Sequence, residues 1–111
     1  MRKLSEDHSY VQGLVKNGTI SKEEALTHPK KNMLTKALGC TAFIEPDIMI
    51  KGFLKEDIIL ICSDGLTNML NEQEIYEIVK ENIDNAINIL INRANDLGGY
   101  DNISAIIIQN N

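Results

Sequence analysis

Hydrophobic and polar positions alternate along this chain in three distinct rhythms. Val11, Leu14 and Val15 recur at helical spacing, and Asn17-Gly18 follows as a pair suited to a left-handed cap, so a short helix is predicted over residues 10–16. Ser21 with Glu24 three positions later forms a capping box, which predicts a second helix that His28-Pro29 stops soon afterwards. Residues 31–38 fit one or two helical turns or an extended connection equally well, and Gly39 ends them. Ile48, Met49, Ile50 and Phe53 predict a strand over residues 47–53. Lys55-Glu56-Asp57 marks a polar turn, and Ile58 to Cys62 form an uninterrupted apolar run, as expected of a strand covered on both faces.

The helical rhythm then returns. Asn71 to Glu74 offers another cap, ahead of Ile75, Ile78 and Val79 on one face. After Asn82, Ile83, Ala86, Ile87, Leu90, Ala94 and Leu97 keep steps of three and four, predicting a long amphipathic helix ended by Gly98-Gly99. Ile103 to Ile108 predict a last strand. No repeat, linker or composition shift divides residues 1–111, so the expectation is a single α+β unit.

With 111 residues, 43% hydrophobic and 24% charged, the chain suits one small globular core. A net charge of −5 gives no general attraction to nucleic acid or anionic lipid, although Lys30, Lys31 and Lys36 form a local basic group. No apolar run approaches the roughly 18 residues needed to span a bilayer, and the first ten residues lack the apolar core of a signal peptide. Cys40 and Cys62 are far apart and form neither a CxxC pair nor a disulfide framework. Buried free thiols in a cytoplasmic protein are expected.

The chemistry concentrates at two strand ends. Asp64 directly follows the apolar run and Asp101 directly precedes the last strand. If those strands pair antiparallel, both carboxylates emerge at one edge of the sheet, and a parallel pairing would separate them. Two adjacent carboxylates repel unless a cation neutralises them, and hard oxygen donors suit magnesium or manganese. Asp-Gly and Gly-Gly-x-Asp-Asn are also common ways to write a turn, so on residue types alone turn chemistry is the stronger reading.

ICSDGLTNML together with the later LGGYDNISAIII resembles the two C-terminal motifs of the protein phosphatase 2C family, the metal-dependent serine/threonine phosphatases. SEDHSYVQGLVKNGTISKEEALTHPKKNMLTKALG is similar to the segment that carries the mobile flap in the bacterial branch. The resemblance implies part of an α-β-β-α sandwich of antiparallel sheets flanked by helices, with two or more Mn2+ or Mg2+ ions at one edge. It implies hydrolysis of phosphoserine and phosphothreonine in protein substrates by metal-activated water. Its SDG and GGxDN motifs fall on Asp64 and Asp101 as metal ligands, while Asn102 is expected to support its turn. No catalytic or other cofactor-binding residue is transferred. The family's N-terminal motifs (NED, DGMGG and GDSR types) are missing, so the chain resembles a C-terminal portion. Alone it is expected to bind metal weakly, to be inactive, and to associate with the missing N-terminal half or with itself. The alternatives are a non-catalytic regulatory or binding domain built on the same fold, and an unrelated α+β domain whose turns imitate the motifs.

Among the other polar residues, His8 next to Ser9 could form a base and hydroxyl pair, although a helix cap explains Ser9 better. His28 fits a helix stop. Cys62 in mid-strand makes a poor nucleophile. The lysines suit a solvated face, with contact to substrate phosphate as the sharper alternative.

Overall fold

A computed structural model describes residues 1–111. In chain order it contains α1 (Tyr10–Lys16), α2 (Lys22–Leu26), β1 (Ile58–Cys62), α3 (Asp64–Thr67), α4 (Glu72–Glu81), a 3-10 turn (Ile83–Asn85), α5 (Ala86–Asp96) and β2 (Ala105–Gln109). Helices and an antiparallel strand pair make it an α+β fold. Contacts cluster into two compact units, residues 2–49 and, with Met1, residues 50–111. The expectation of a single unit had rested on the absence of a repeat or linker between them.

In the first unit, Ser9 caps α1 by accepting the Gln12 amide at 3.2 Å, and Val11 is buried. The predicted capping box is present in full, with the Ser21 hydroxyl taking the Glu24 amide at 3.1 Å and the Glu24 carboxylate taking the Ser21 amide at 3.3 Å. Residues 31–38 are not helical. They form turns and a single bridge in which Leu34 lies antiparallel to Ser9, fastened by Tyr10 N to Met33 O and Thr35 N to His8 O, both 2.9 Å.

The second unit contains the core. β1 and β2 pair antiparallel from Ile58 opposite Gln109 to Cys62 opposite Ala105. Leu66, Ile75, Leu90 and Ala94 from α3, α4 and α5, with Leu70 from the link between α3 and α4, form a buried cluster, and Leu60, Cys62, Ile103 and Ala105 pack against it. Asn71 caps α4 by accepting the Glu74 amide at 2.8 Å. The long predicted helix begins as the 3-10 turn, where Asn82 accepts the Asn85 amide at 3.3 Å, and regularises at Ala86. It stops where Gly99 takes φ 55°, a left-handed conformation that lets its amide reach Ala94 O at 3.1 Å.

Four expectations need correction. No strand forms over residues 47–53: residues 43–54 carry no regular structure, and Ile48 and Ile50 are 87% and 95% exposed. The apolar residues suit a strand, but a strand also needs a neighbour to take its amides and carbonyls, and none is present. β1 is covered on one face only, because the helices pack against Leu60 and Cys62 and leave Ile61 exposed on the opposite side. The last strand starts at Ala105 rather than Ile103, since residues 102–104 bond to the turn after β1. Cys40 is exposed rather than buried, in a bend that no core element covers.

Candidate metal centre

The antiparallel pairing brings the end of β1 beside the start of β2, and Ser63 stitches the two turns together. Its amide donates to Ser104 O at 2.9 Å, its hydroxyl accepts the Ser104 amide at 3.0 Å, and the same hydroxyl donates to Asn102 O at 3.4 Å. Asp64 opens α3 one residue later. Asp101 lies one residue before Asn102 and uses Oδ1 to accept the Asn102 amide at 2.7 Å, which holds its own turn.

Gly65 shows how closely these turns meet. A Cβ at this position would collide with the Asn102 carbonyl and reach Ile103 Cγ1 at 3.4 Å, so only glycine lets the two backbones touch. The residue after Asp64 is therefore in contact with the residue after Asp101. Both aspartates are exposed, and no hydrogen bond or ion pair within the chain engages the Asp64 carboxylate. Two hard-oxygen donors on interlocked turns fit part of a Mg2+ or Mn2+ site. No group of three or more His, Cys, Asp or Glu side chains comes together in the chain, so the donor set it offers is a partial one.

Of the other polar candidates, His8, Ser9, His28, Lys30 and Lys36 have structural partners. The Ser9 hydroxyl is committed to its cap. His8 instead meets Asp47, with Nε2 donating to Oδ2 at 2.6 Å across 39 residues of sequence. Lys36 joins them, 3.9 Å from Asp47 Oδ1 and bonded to Glu45 O at 3.3 Å. The hydrogen bond and charge of His8 hold the Asp47 carboxyl below its ordinary value, with smaller help from Lys36 and Lys16. Sequence reasoning missed this cluster, because no local pattern signals a pair so far apart. His28 Nδ1 accepts the Lys30 amide at 3.0 Å, its ring tilts against Tyr10 at 6.1 Å, and the Lys30 ammonium lies 5.2 Å over Tyr10. Burial raises the Cys62 thiol above its usual range, which disfavours the nucleophilic thiolate.

Comparison with known proteins gives this geometry its context. The chain is 44% identical over 113 residues to a serine/threonine phosphatase of Listeria innocua, covering all of this chain and 45% of that protein. It is 40% identical to a putative protein phosphatase 2C-type protein of Streptococcus pyogenes, covering 96% of this chain and 44% of the relative. Among solved structures, the S. agalactiae serine/threonine phosphatase matches with a TM-score of 0.86 and 38% identity over 96% of this chain and 45% of that one. The catalytic domain of the phosphatase PstP, in complex with two manganese ions, matches with a TM-score of 0.76 and 28% identity over 96% of this chain and 45% of its own. No family model matches the chain.

The similarity along the whole chain and the matching fold together define a segment of phosphatase type. The chain belongs to the protein phosphatase 2C family of serine/threonine phosphatases, as a portion spanning about 45% of the length of its relatives. Such coverage is consistent with the C-terminal part of the catalytic domain.

Proposed function

We propose that this chain is the C-terminal part of a metal-dependent phosphatase acting on phosphoserine and phosphothreonine in proteins, with Asp64 and Asp101 as two of its metal ligands. The observation that carries the reading is the interlocking of their turns through Gly65 and Asn102, in a chain whose relatives are named phosphatases along its whole length. Bound Mg2+ or Mn2+ would supply a Lewis acid that activates water and offsets charge on the phosphoryl oxygens.

The chain's own residues do the holding. Ser63 and Gly65 set the two turns in register, and the Asn102 amide takes up one oxygen of Asp101, which orients that carboxylate. Two carboxylates leave most positions of an octahedral ion to water, so the isolated chain binds magnesium weakly, on the order of millimolar, and does not turn over substrate. Partners are phosphorylated proteins and the remainder of the catalytic domain. The two unpaired cysteines suit the reducing cytoplasm.

The test is complementation. This chain is mixed with manganese and the portion of the Listeria innocua phosphatase that it does not match, and hydrolysis of a phosphothreonine peptide is followed. Activity should appear that neither part shows alone, and Asp64→Asn or Asp101→Asn should lower it on the order of a hundredfold or more. Full activity in either variant would remove that residue from the metal centre.

A further inference from the structure

Tyr100 stands between the glycines that end α5 and the candidate ligand Asp101, and it is 82% exposed. Its ring is nevertheless seated. A Cβ added to Gly98 would lie 2.7 Å from Cζ of Tyr100 and 3.0 Å from each of its Cε atoms, the spacing of a point directly above Cζ. The ring therefore lies face-on against Gly98, which at φ 134° has no side chain to hold it off. One face rests on backbone and the other is open to solvent.

The other two tyrosines differ. Tyr10 and Tyr76 are 37% and 38% exposed, and each has a lysine ammonium over its ring, Lys30 at 5.2 Å and Lys80 at 5.6 Å. No cation of the chain covers Tyr100. Packing of the turn accounts for its inner face, but a tyrosine that served packing alone would be far better covered. The surroundings also favour a positive guest. The C-terminal carbonyls of α5 end here with Asp96 in the last turn, and Arg93, the basic residue of that turn, is engaged with Glu74 at 3.9 Å.

We propose that the open face of Tyr100 determines specificity by taking the arginine or lysine side chain of a phosphorylated protein substrate. The cation stacks on the ring from a position within about three residues of the phosphoserine or phosphothreonine, since Asp101 is the next residue and each residue spans roughly 3.5 Å. The choice of a phosphoprotein as occupant rests on the function proposed above, because that reading brings phosphopeptide to Asp101. An apolar or aromatic flank fits less well: it would use the ring but gain nothing from the local negative charge.

The experiment has two arms. In the first, this chain with carbon-13-labelled tyrosine rings is titrated, in magnesium, with phosphothreonine peptides carrying arginine at each of the three positions on either side. At one position or more arginine should shift the Tyr100 ring signals, while glutamine at the same position should not, and Tyr10 and Tyr76 should stay in place. In the second, the same peptides are hydrolysed by this chain complemented with the unmatched portion of the Listeria innocua phosphatase and manganese. The arginine peptide should have a KM roughly three- to tenfold below its glutamine counterpart at similar kcat, a preference that Tyr100→Phe keeps and Tyr100→Ala abolishes. Ring signals that ignore arginine at every position, a preference for an apolar or aromatic flank instead, or an arginine preference that survives in Tyr100→Ala would each overturn the proposal. So would a Tyr100→Ala variant that lowers kcat on both peptides and leaves their ratio intact, which marks a purely structural role. Restored hydrolysis indifferent to arginine would sink this inference and leave the phosphatase reading standing; ring signals that follow arginine in a chain that restores no hydrolysis would do the reverse.

Discussion

Gly65 is the residue on which the candidate site depends most. An added methyl group would meet a backbone carbonyl, which cannot swing aside as a flexible side chain can. Gly65→Ala should therefore destabilise the chain by roughly 1–3 kcal/mol, the usual range for overpacking, as measured by urea unfolding. His8 and Asp47 make a different prediction. The folded Asp47 carboxyl sits below its unfolded value of 3.8, so its pairing contributes fully above that pH and is lost as the pH falls through the lower folded value. Acidification below about pH 3.8 should loosen the link between residues 8 and 47, seen as chemical-shift changes in residues 42–49 that follow the Asp47 carboxyl. In Asp47→Asn that acid dependence should vanish, and shifts that do not follow Asp47 would show that the pair does not hold the segment.

Elements follow their sequence signals closely where those signals are local. The caps at Ser9, Ser21 and Asn71 all form the hydrogen bonds that their spacing promised, because donor and acceptor lie within one turn. Asn71→Ala should cost about 1 kcal/mol, read as a shift in the unfolding midpoint. Leu90, fully buried among Leu66, Leu70, Ile75 and Ala94, should cost roughly 2–5 kcal/mol when cut to alanine. A loss at Leu90 no larger than at Asn71 would mean that the cluster is not the core of this unit. The expected strand over residues 47–53 shows the other side: its apolar residues suit a strand, yet pairing is a property of two segments and only one is present.

At the scale of the whole molecule, the chain shows a core on one side of its sheet and a bare apolar face on the other. The chain spans about 45% of the length of its relatives. No helix is long and apolar enough to cross a membrane. The restoration of activity described above is a whole-molecule test of the carboxylate rim.

The amino-acid sequence by itself determined the caps that open α1, α2 and α4, the glycines that stop α5, the apolar run of β1, and the two aspartates at strand ends. Each of these is encoded within a few residues, by caps, periodicity and breakers, and the phosphatase motifs are equally local. Only the tertiary structure decided that the strands pair antiparallel, that Gly65 lies against Asn102, that His8 reaches Asp47, and which face of the sheet stays open. Those outcomes depend on contacts between segments tens of residues apart, for which hydrophobicity says that a surface must be buried but not against what.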